Sequence, residues 1–332
     1  MALLAGVLMW LAFRGVDFGQ LFAEISQAHL FWLGLSLVAS IVAFVSRAWR
    51  WKLLIDPMGY NTSFFRATCA LMTGYLANLV FPRLGEVTRC ATLSRSDKIP
   101  FDQLIGTVIV ERVLDVICLL VVVVLTAIVE AERLSNFIFS KIIAPIWEKV
   151  ADKMLSPVVW IAVAAVVGFI VFFVRARRKS GAHTSLFNKL NELVKGIAKG
   201  LRSIRTLEKP WQFLFHTIFI WTLYYYTAYL CFFALDATSM LSWKAALLVL
   251  VAGGLGMSVP VQGGFGAYHL LVMEGMALYG IGMEHGRAFA TLVHSAQVVL
   301  VILMGGLSFM FLMASNKNLS NEKPGAYPVE NR

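Results

Sequence analysis

A chain of 332 residues that is 59% hydrophobic and only 14% charged, with a mean hydropathy of +0.74, cannot be a soluble domain, because no core of that size hides so much apolar surface. The formal charge of +10 would suit nucleic acid on a soluble protein; on a membrane protein it points to anionic lipid and away from nucleic acid. Cys69, Cys90, Cys118 and Cys231 show no C-x-x-C spacing and the histidines no H-E-x-x-H pattern, so no disulfide framework, metal site or cofactor is expected.

In chain order, apolar runs approaching the roughly 20 residues that cross about 30 Å of hydrocarbon predict full spans at about 2–13, 29–46, 104–129, 156–174, 211–235 and 288–313. The first has no basic n-region, so it reads as a span and not as a secretory signal. It is short enough to be missing a few residues at its start. Two further apolar stretches, about 65–81 and 244–281, are each interrupted by a Pro/Gly cluster, at 82–86 and at 260–266.

Loop charge predicts orientation. Arg47, Arg50, Lys52 and Arg66 precede the first broken stretch, and Arg89, Arg95 and Lys98 follow it, so this segment enters and leaves from the cytoplasmic side. The stretch from Arg175 to Lys209 carries ten basic residues and is also expected to be cytoplasmic, whereas the turns near Asp236 and Gly282 are short and weakly charged. Both termini then lie in the cytoplasm, in a multi-pass protein of the cell's inner membrane.

The predicted fold is all-α: about six full spans plus two broken re-entrant segments, arranged as an inverted repeat. One transmembrane domain covers 1–314, with inverted halves at about 1–150 and 151–314, and 315–332 forms a polar cytoplasmic tail. Irregular backbone is tolerated at membrane depth only where protein or a wet cavity satisfies its polar groups. Two breaks at matching positions of two halves therefore point to a central binding site; ordinary Pro-kinked helices are the alternative.

The first break and the span after it gather Asn78, Pro82, Arg83, Gly85, Glu86, Arg89, Glu111, Arg112 and Asp115. Charges at the bilayer centre cost about 2.5–3.5 kcal/mol each on insertion scales and usually face inward and pair. Glu111, Arg112 and Asp115 occupy neighbouring helical positions, as do Glu86 and Arg89. The acids are natural partners for the arginines in a clamp between break and span. The arginines also suit a phosphate, which a guanidinium binds through two parallel hydrogen bonds. Gly85 and Gly266 each precede a second helical limb whose N-terminal amides favour an anion.

The second break is nearly uncharged and offers Ser258, Pro260, Gln262, Gly263, Gly264, Gly266, Tyr268 and His269, with Glu274 farther along. His294 and Gln297 stand on the last span much as Glu111 and Asp115 do on the earlier one; for His294 an interior hydrogen-bonded role is the plainer expectation. Between 184 and 207 leucines and isoleucines recur every three to four residues among basic side chains. That pattern describes an amphipathic helix either on the cytoplasmic leaflet or against the helix ends.

Four segments, RAWRWKLL from Arg47, NLVFPRLGEVTR from Asn78, VERVLD from Val110 and PVQGGFG from Pro260, resemble, in this order, the lysylphosphatidylglycerol synthase transmembrane, or flippase-like, family and UPF0104-type membrane proteins. The resemblance implies a domain that moves a polar lipid headgroup across the bilayer. Complete lysylphosphatidylglycerol synthases add a soluble aminoacyltransferase domain using aminoacyl-tRNA. This chain ends at Arg332, soon after its last predicted span, so lysine transfer by it alone is not expected.

Two functions stay open. In one, the chain translocates an anionic phospholipid or a polyprenyl-phosphate-linked lipid held by Arg83, Arg89 and Arg112. In the other it is a membrane-embedded transferase, or a subunit of one, with Glu86, Glu111 or Asp115 as base. A lipid-modifying enzyme is a candidate partner. No nucleophile-base arrangement, metal triad or nucleotide motif is seen, so no catalytic residue is assigned and translocation is favoured.

Overall fold

The computed structural model describes residues 2–60, 62–139 and 207–321, and those residues are helical with no strand among them. The predicted span at 156–174 and the amphipathic pattern at 184–207 lie outside the described residues. By chain contacts the protein forms two compact units, Met1–Val123 with Ile204–Arg332, and Val124–Ser203. In the second, the described residues end helix α6 and form α7 (Ala131–Ile138), with Arg133 paired to Glu130 at 3.1 Å.

The first unit is built from α1 (Ala2–Phe13), α2 (Phe18–Ser26), α3 (Leu30–Ile55), α4 (Phe64–Val80), α5 (Leu84–Asp97), most of α6 (Phe101–Val129), α8 (Pro210–Phe232), α9 (Trp243–Ser258), α10 (Ala267–Ala277) and α11 (Met283–Asn321). Three of these regions, Leu30–Met58, Phe101–Val129 and Met283–Ser315, are long and apolar enough to cross a membrane. Helix α8 has 23 residues, about 35 Å at 1.5 Å per residue; its run of tyrosines and tryptophans lowers its hydropathy without shortening it. Large apolar side chains face outward, among them Val121, Leu303 and Leu307, each about 60% exposed, as expected where the solvent is lipid.

Helix α2 was not expected from hydropathy. Asp17 caps it, accepting from the Gly19 and Gln20 amides at 2.8 and 3.3 Å, the usual way an N-cap carboxylate satisfies first-turn amides. Helix α11 continues past 313 to Asn321, since a helix need not stop where its apolar stripe does.

Both predicted breaks are the tips of helical hairpins. In the first, α5 folds back along α4: Arg66 in the first turn of α4 pairs with Asp97 at the end of α5 at 2.6 Å. The two limbs touch near the tip, where a Cβ on Gly85 would collide with the carbonyl oxygen of Gly74. In the second, α10 returns along α9, with the backbone of Tyr268 against Gly256 and Gly275 against Ala252.

The tips meet. Gly263, at φ 51°, holds the Leu79 side chain so close that a Cβ there would stand 2.9 Å from it. Local bonds satisfy the irregular backbone: Phe81 N–H to the Ala77 carbonyl at 2.9 Å, Leu84 N–H to Phe81 at 3.2 Å, and Phe265 N–H to Gln262 at 3.0 Å.

One expectation is corrected by α3. Arg47 and Arg50, counted as flanking loop charges, are interior residues of that helix, buried at 7% and 0% exposure. The helix continues through them because carboxylates on α6 neutralise them; Arg89, counted on the far flank, is likewise buried within α5 at 2% exposure, and the weight of the orientation argument passes to Lys52, Arg66, Arg95 and Lys98.

Candidate functional site

Helix α3 turns Arg47 and Arg50, three residues apart, toward α6, where Glu111 and Asp115, four apart, share the facing stripe. Arg50 reaches Asp115 at 2.7 Å and Glu111 at 3.4 Å, and Arg47 reaches Asp115 at 3.0 Å. From α5, Arg89 binds the other oxygen of Glu111 at 2.6 Å. Arg47 also donates to the Tyr224 hydroxyl at 3.0 Å on α8. Trp51 donates to Thr107 at 2.8 Å and lies under the Arg89 guanidinium, 4.7 Å from its centre, a cation–π contact. This inner network ties α3, α5, α6 and α8 together.

Arg112 is not part of it. One residue beyond Glu111 is about 100° farther round a helix, and Arg112 points instead to Glu86 of α5 at 2.5 Å, with its side chain 43% exposed and that of Glu86 23% exposed. Four guanidiniums, of Arg47, Arg50, Arg89 and Arg112, thus face the three carboxylates of Glu86, Glu111 and Asp115. The excess is one positive charge. Several of their buried nitrogens, including Arg50 Nη1 and Arg89 Nη1, have no partner among the described residues, and neither has Glu86 Oε2.

Arg83 stands alone at the tip. It is a non-glycine residue at φ 64°, a left-handed conformation costing about 1–2 kcal/mol, and its exposed side chain makes no hydrogen bond or ion pair with the described residues. Pro82 before it ends the hydrogen bonding of α4. Asn78 pins the turn by accepting the Gly85 amide at 2.6 Å.

The second tip forms a separate, uncharged cluster. His294 Nε2 donates to the Gly263 carbonyl at 2.9 Å; since a carbonyl only accepts, that nitrogen carries the proton. His294 also stacks on Tyr268 at 5.0 Å and meets the edge of His269 at 4.9 Å. Both imidazoles are buried, and both keep an Nδ1 without a partner among the described residues. Pro260, Gly264 and Gly266 shape the turn, the two glycines at φ 76° and 79°. Among the described residues no hydrogen bond or ion pair joins this cluster to the arginine network.

The predicted residues are therefore divided into an inner charged network, an outer pair with Arg83, and a neutral histidine cluster across the tip contact. The roles of Arg47, Arg50, Trp51 and Tyr224 were missed. Their signal was available: an arginine pair at i, i+3 closing one apolar run matches an acid pair at i, i+4 in another.

A sequence model described as the lysylphosphatidylglycerol synthase TM region matches residues 1–305, nearly the whole chain and all of the network just described. The chain belongs to that family. Within the lysylphosphatidylglycerol synthase TM region, both tips, both histidines and every member of the arginine network fall inside the matched residues. A UPF0104 membrane protein of Methanocaldococcus jannaschii is 29% identical over 112 residues, which are 33% of this chain and 33% of that relative. The match thus spans about a third of the relative's length. Membership makes this a membrane protein with apolar helices, and a role connected with lipid is consistent with it.

Proposed function

We propose that the protein binds the phosphate of an anionic lipid, or of a lipid-linked headgroup, at the tip of the α4–α5 hairpin and moves it across the membrane. The observation that carries this reading is Arg83. A guanidinium with no partner among the described residues, on strained backbone at the end of a re-entrant hairpin, is a poor structural clamp and a good ligand for phosphate. Arg112, half exposed one turn of α5 away through Glu86, is the second arm. Arg89 is committed to Glu111 and holds the site's wall. The contact of the two tips at Leu79 and Gly263 would close the path in this state, and its separation would open it. Both termini are placed in the cytoplasm in this reading.

The test is reconstitution in vesicles with a headgroup-labelled anionic lipid. The expected result is a changed transbilayer distribution with the lipid's mass unaltered, and loss of that change in Arg83→Ala. A new covalent lipid product would move the case to a transferase; unchanged distribution in wild type would reject translocation.

A further inference from the structure

Arg287, Thr291 and His294 stand at i, i+4 and i+7 of α11 and so share one face of that helix. At the start of α11 this face opens on a cleft of about 130 Å³, where Asp17, Glu24 and Glu284 surround Arg287. At its other end lies the second hairpin tip, with His294 on the Gly263 carbonyl at 2.9 Å. Phe13 stands between the two: Gly15 and Val16 beside it line the cleft, and its ring meets His269 at 5.5 Å. Along this stretch the protein carries hydrogen-bonding capacity that it does not use. Thr291 Oγ1, His294 Nδ1, His269 Nδ1 and Gln262 Oε1 are buried with no partner among the described residues, and the two histidines are only 4% and 3% exposed. Native interiors leave few such groups, because each one costs free energy. We propose that these four groups form a subsite for the hydroxyls of a lipid headgroup, across the tip contact from Arg83. This rests on the reading of Arg83 as the phosphate ligand and adds what lies beyond the phosphate.

The class of ligand follows from the atoms. His294 Nε2 gives its proton to Gly263, so in the neutral ring Nδ1 is an acceptor and calls for a donor. Gln262 Oε1 is likewise an acceptor, whereas the Thr291 hydroxyl both donates and accepts. A ligand hydroxyl has the same double capacity, so a group carrying two of them can satisfy acceptors and hydroxyl together. An ammonium only donates, and it brings a full charge into a buried place that holds no counter-charge. Among the described residues no carboxylate is bonded to either ring; the histidines that pair with acids are His29 and His285. An ionised phosphate only accepts and would face the lone pair of Nδ1. Aromatic rings complete the walls, with Tyr268 stacked on His294 at 5.0 Å and Phe265 against it at 4.9 Å. Such a lining, apolar with a few fixed polar atoms, is the usual make-up of a small-ligand site. Its placement suits one ligand reaching both tips. Leu79, four residues before Arg83, packs on Gly263, and His294 holds Gly263 through its carbonyl. A headgroup whose phosphate rests on Arg83 therefore meets this subsite as soon as the tips part.

The experiment is isothermal titration of the whole protein in detergent with two short-chain phosphodiesters of equal charge. Dihexanoylphosphatidylglycerol carries headgroup hydroxyls, and dihexanoylphosphatidylmethanol carries none. Wild type is expected to bind the glycerol lipid about fivefold or more tightly, the worth of one net hydrogen bond. Thr291→Val and His269→Phe remove a hydroxyl and a ring nitrogen while nearly keeping the shape of each side chain. Each should reduce the preference at least about twofold, part of that same bond's worth, and leave binding of the methanol lipid unchanged. Without lipid, T291V should melt no lower than wild type, because its hydroxyl has no bond to lose. Equal binding of the two lipids by wild type, or a preference that survives intact in either variant, would overturn the subsite and leave the phosphate reading standing. Tighter binding of dihexanoylphosphatidylethanolamine than of the glycerol lipid would overturn the choice of hydroxyl over ammonium. A lower melting temperature in T291V would show that the Thr291 hydroxyl already serves the fold, and would overturn the proposal too. Failure of wild type to bind either phosphodiester would overturn both readings. If His269→Phe does not fold, T291V decides alone.

Discussion

Two arginines separated by 29 positions illustrate how differently one side-chain type can be used. Arg112 has a partner, and Arg83 makes no side-chain bond to the described residues while sitting on backbone that costs about 1–2 kcal/mol. Arg83→Gly should therefore leave detergent thermal stability unchanged or slightly raised while lowering the affinity for an anionic lipid, with Arg83→Lys intermediate because an ammonium keeps the charge and loses the planar fork. A clear fall in melting temperature in Arg83→Gly would make that residue a structural element after all. Arg89 is the contrast: Arg89→Ala leaves Glu111, at 0% exposure, with only the longer 3.4 Å contact to Arg50. Breaking a buried pair costs about 3–5 kcal/mol in soluble proteins, so the expected outcome is loss of monodisperse protein on size exclusion. The sequence shows these charges and their spacing, but not their partners. Glu111 and Asp115 were the natural mates of Arg112 by proximity in the chain, and rotation around α6 assigns it to Glu86 instead.

Each hairpin depends on a place where backbone meets backbone. A Cβ at Gly85 would overlap the Gly74 carbonyl, whereas one at Gly106, in mid-helix on α6, meets nothing within 4 Å. Gly85→Ala should thus abolish or severely lower thermal stability. Gly106→Ala should be neutral or stabilising by about 0.5–1 kcal/mol, the usual helix preference for alanine. Comparable melting of the two variants would mean that the limbs separate more easily than their packing implies. Both breaks were legible to within a residue or two because proline and glycine act through local chemistry. Helix α3 was cut short for the opposite reason. A hydropathy window stops at the first arginine, while a helix stops only when its backbone bonds or its burial fail, and Arg47 and Arg50 lose neither. Helix α2 had a legible start in Asp17 and Gln20, a capping pattern, but its exposed Phe18 and Phe22 gave no period to recognise in nine residues.

For the molecule as a whole, the hairpin geometry makes a topological statement that chemistry can check. Ser63 caps the first turn of α4 and Ser94 lies in the last turn of α5, so cysteines placed there in a background lacking accessible native thiols should label from the same side, the cytoplasmic one. Labelling from opposite sides would exclude a re-entrant hairpin. The overall class was visible in composition alone, because a chain this apolar has few folds open to it. The tip-to-tip contact was not, since nothing local in Leu79 or Gly263 announces a partner about 180 residues away. The inner network also bears on how such a chain is made. Arg47 and Arg50 leave the ribosome more than 60 residues ahead of the carboxylates that neutralise them, and in the last third of α3 each unpaired charge opposes insertion, though by less than the about 2.5–3.5 kcal/mol of a helix centre. During synthesis α3 therefore emerges as an incomplete passenger, held at the translocation machinery or at the bilayer surface until α6 arrives. Its stable seating in lipid is then expected to be an assembly event shared by two helices, so that a chain truncated before Asp115 should integrate less completely than one that includes it.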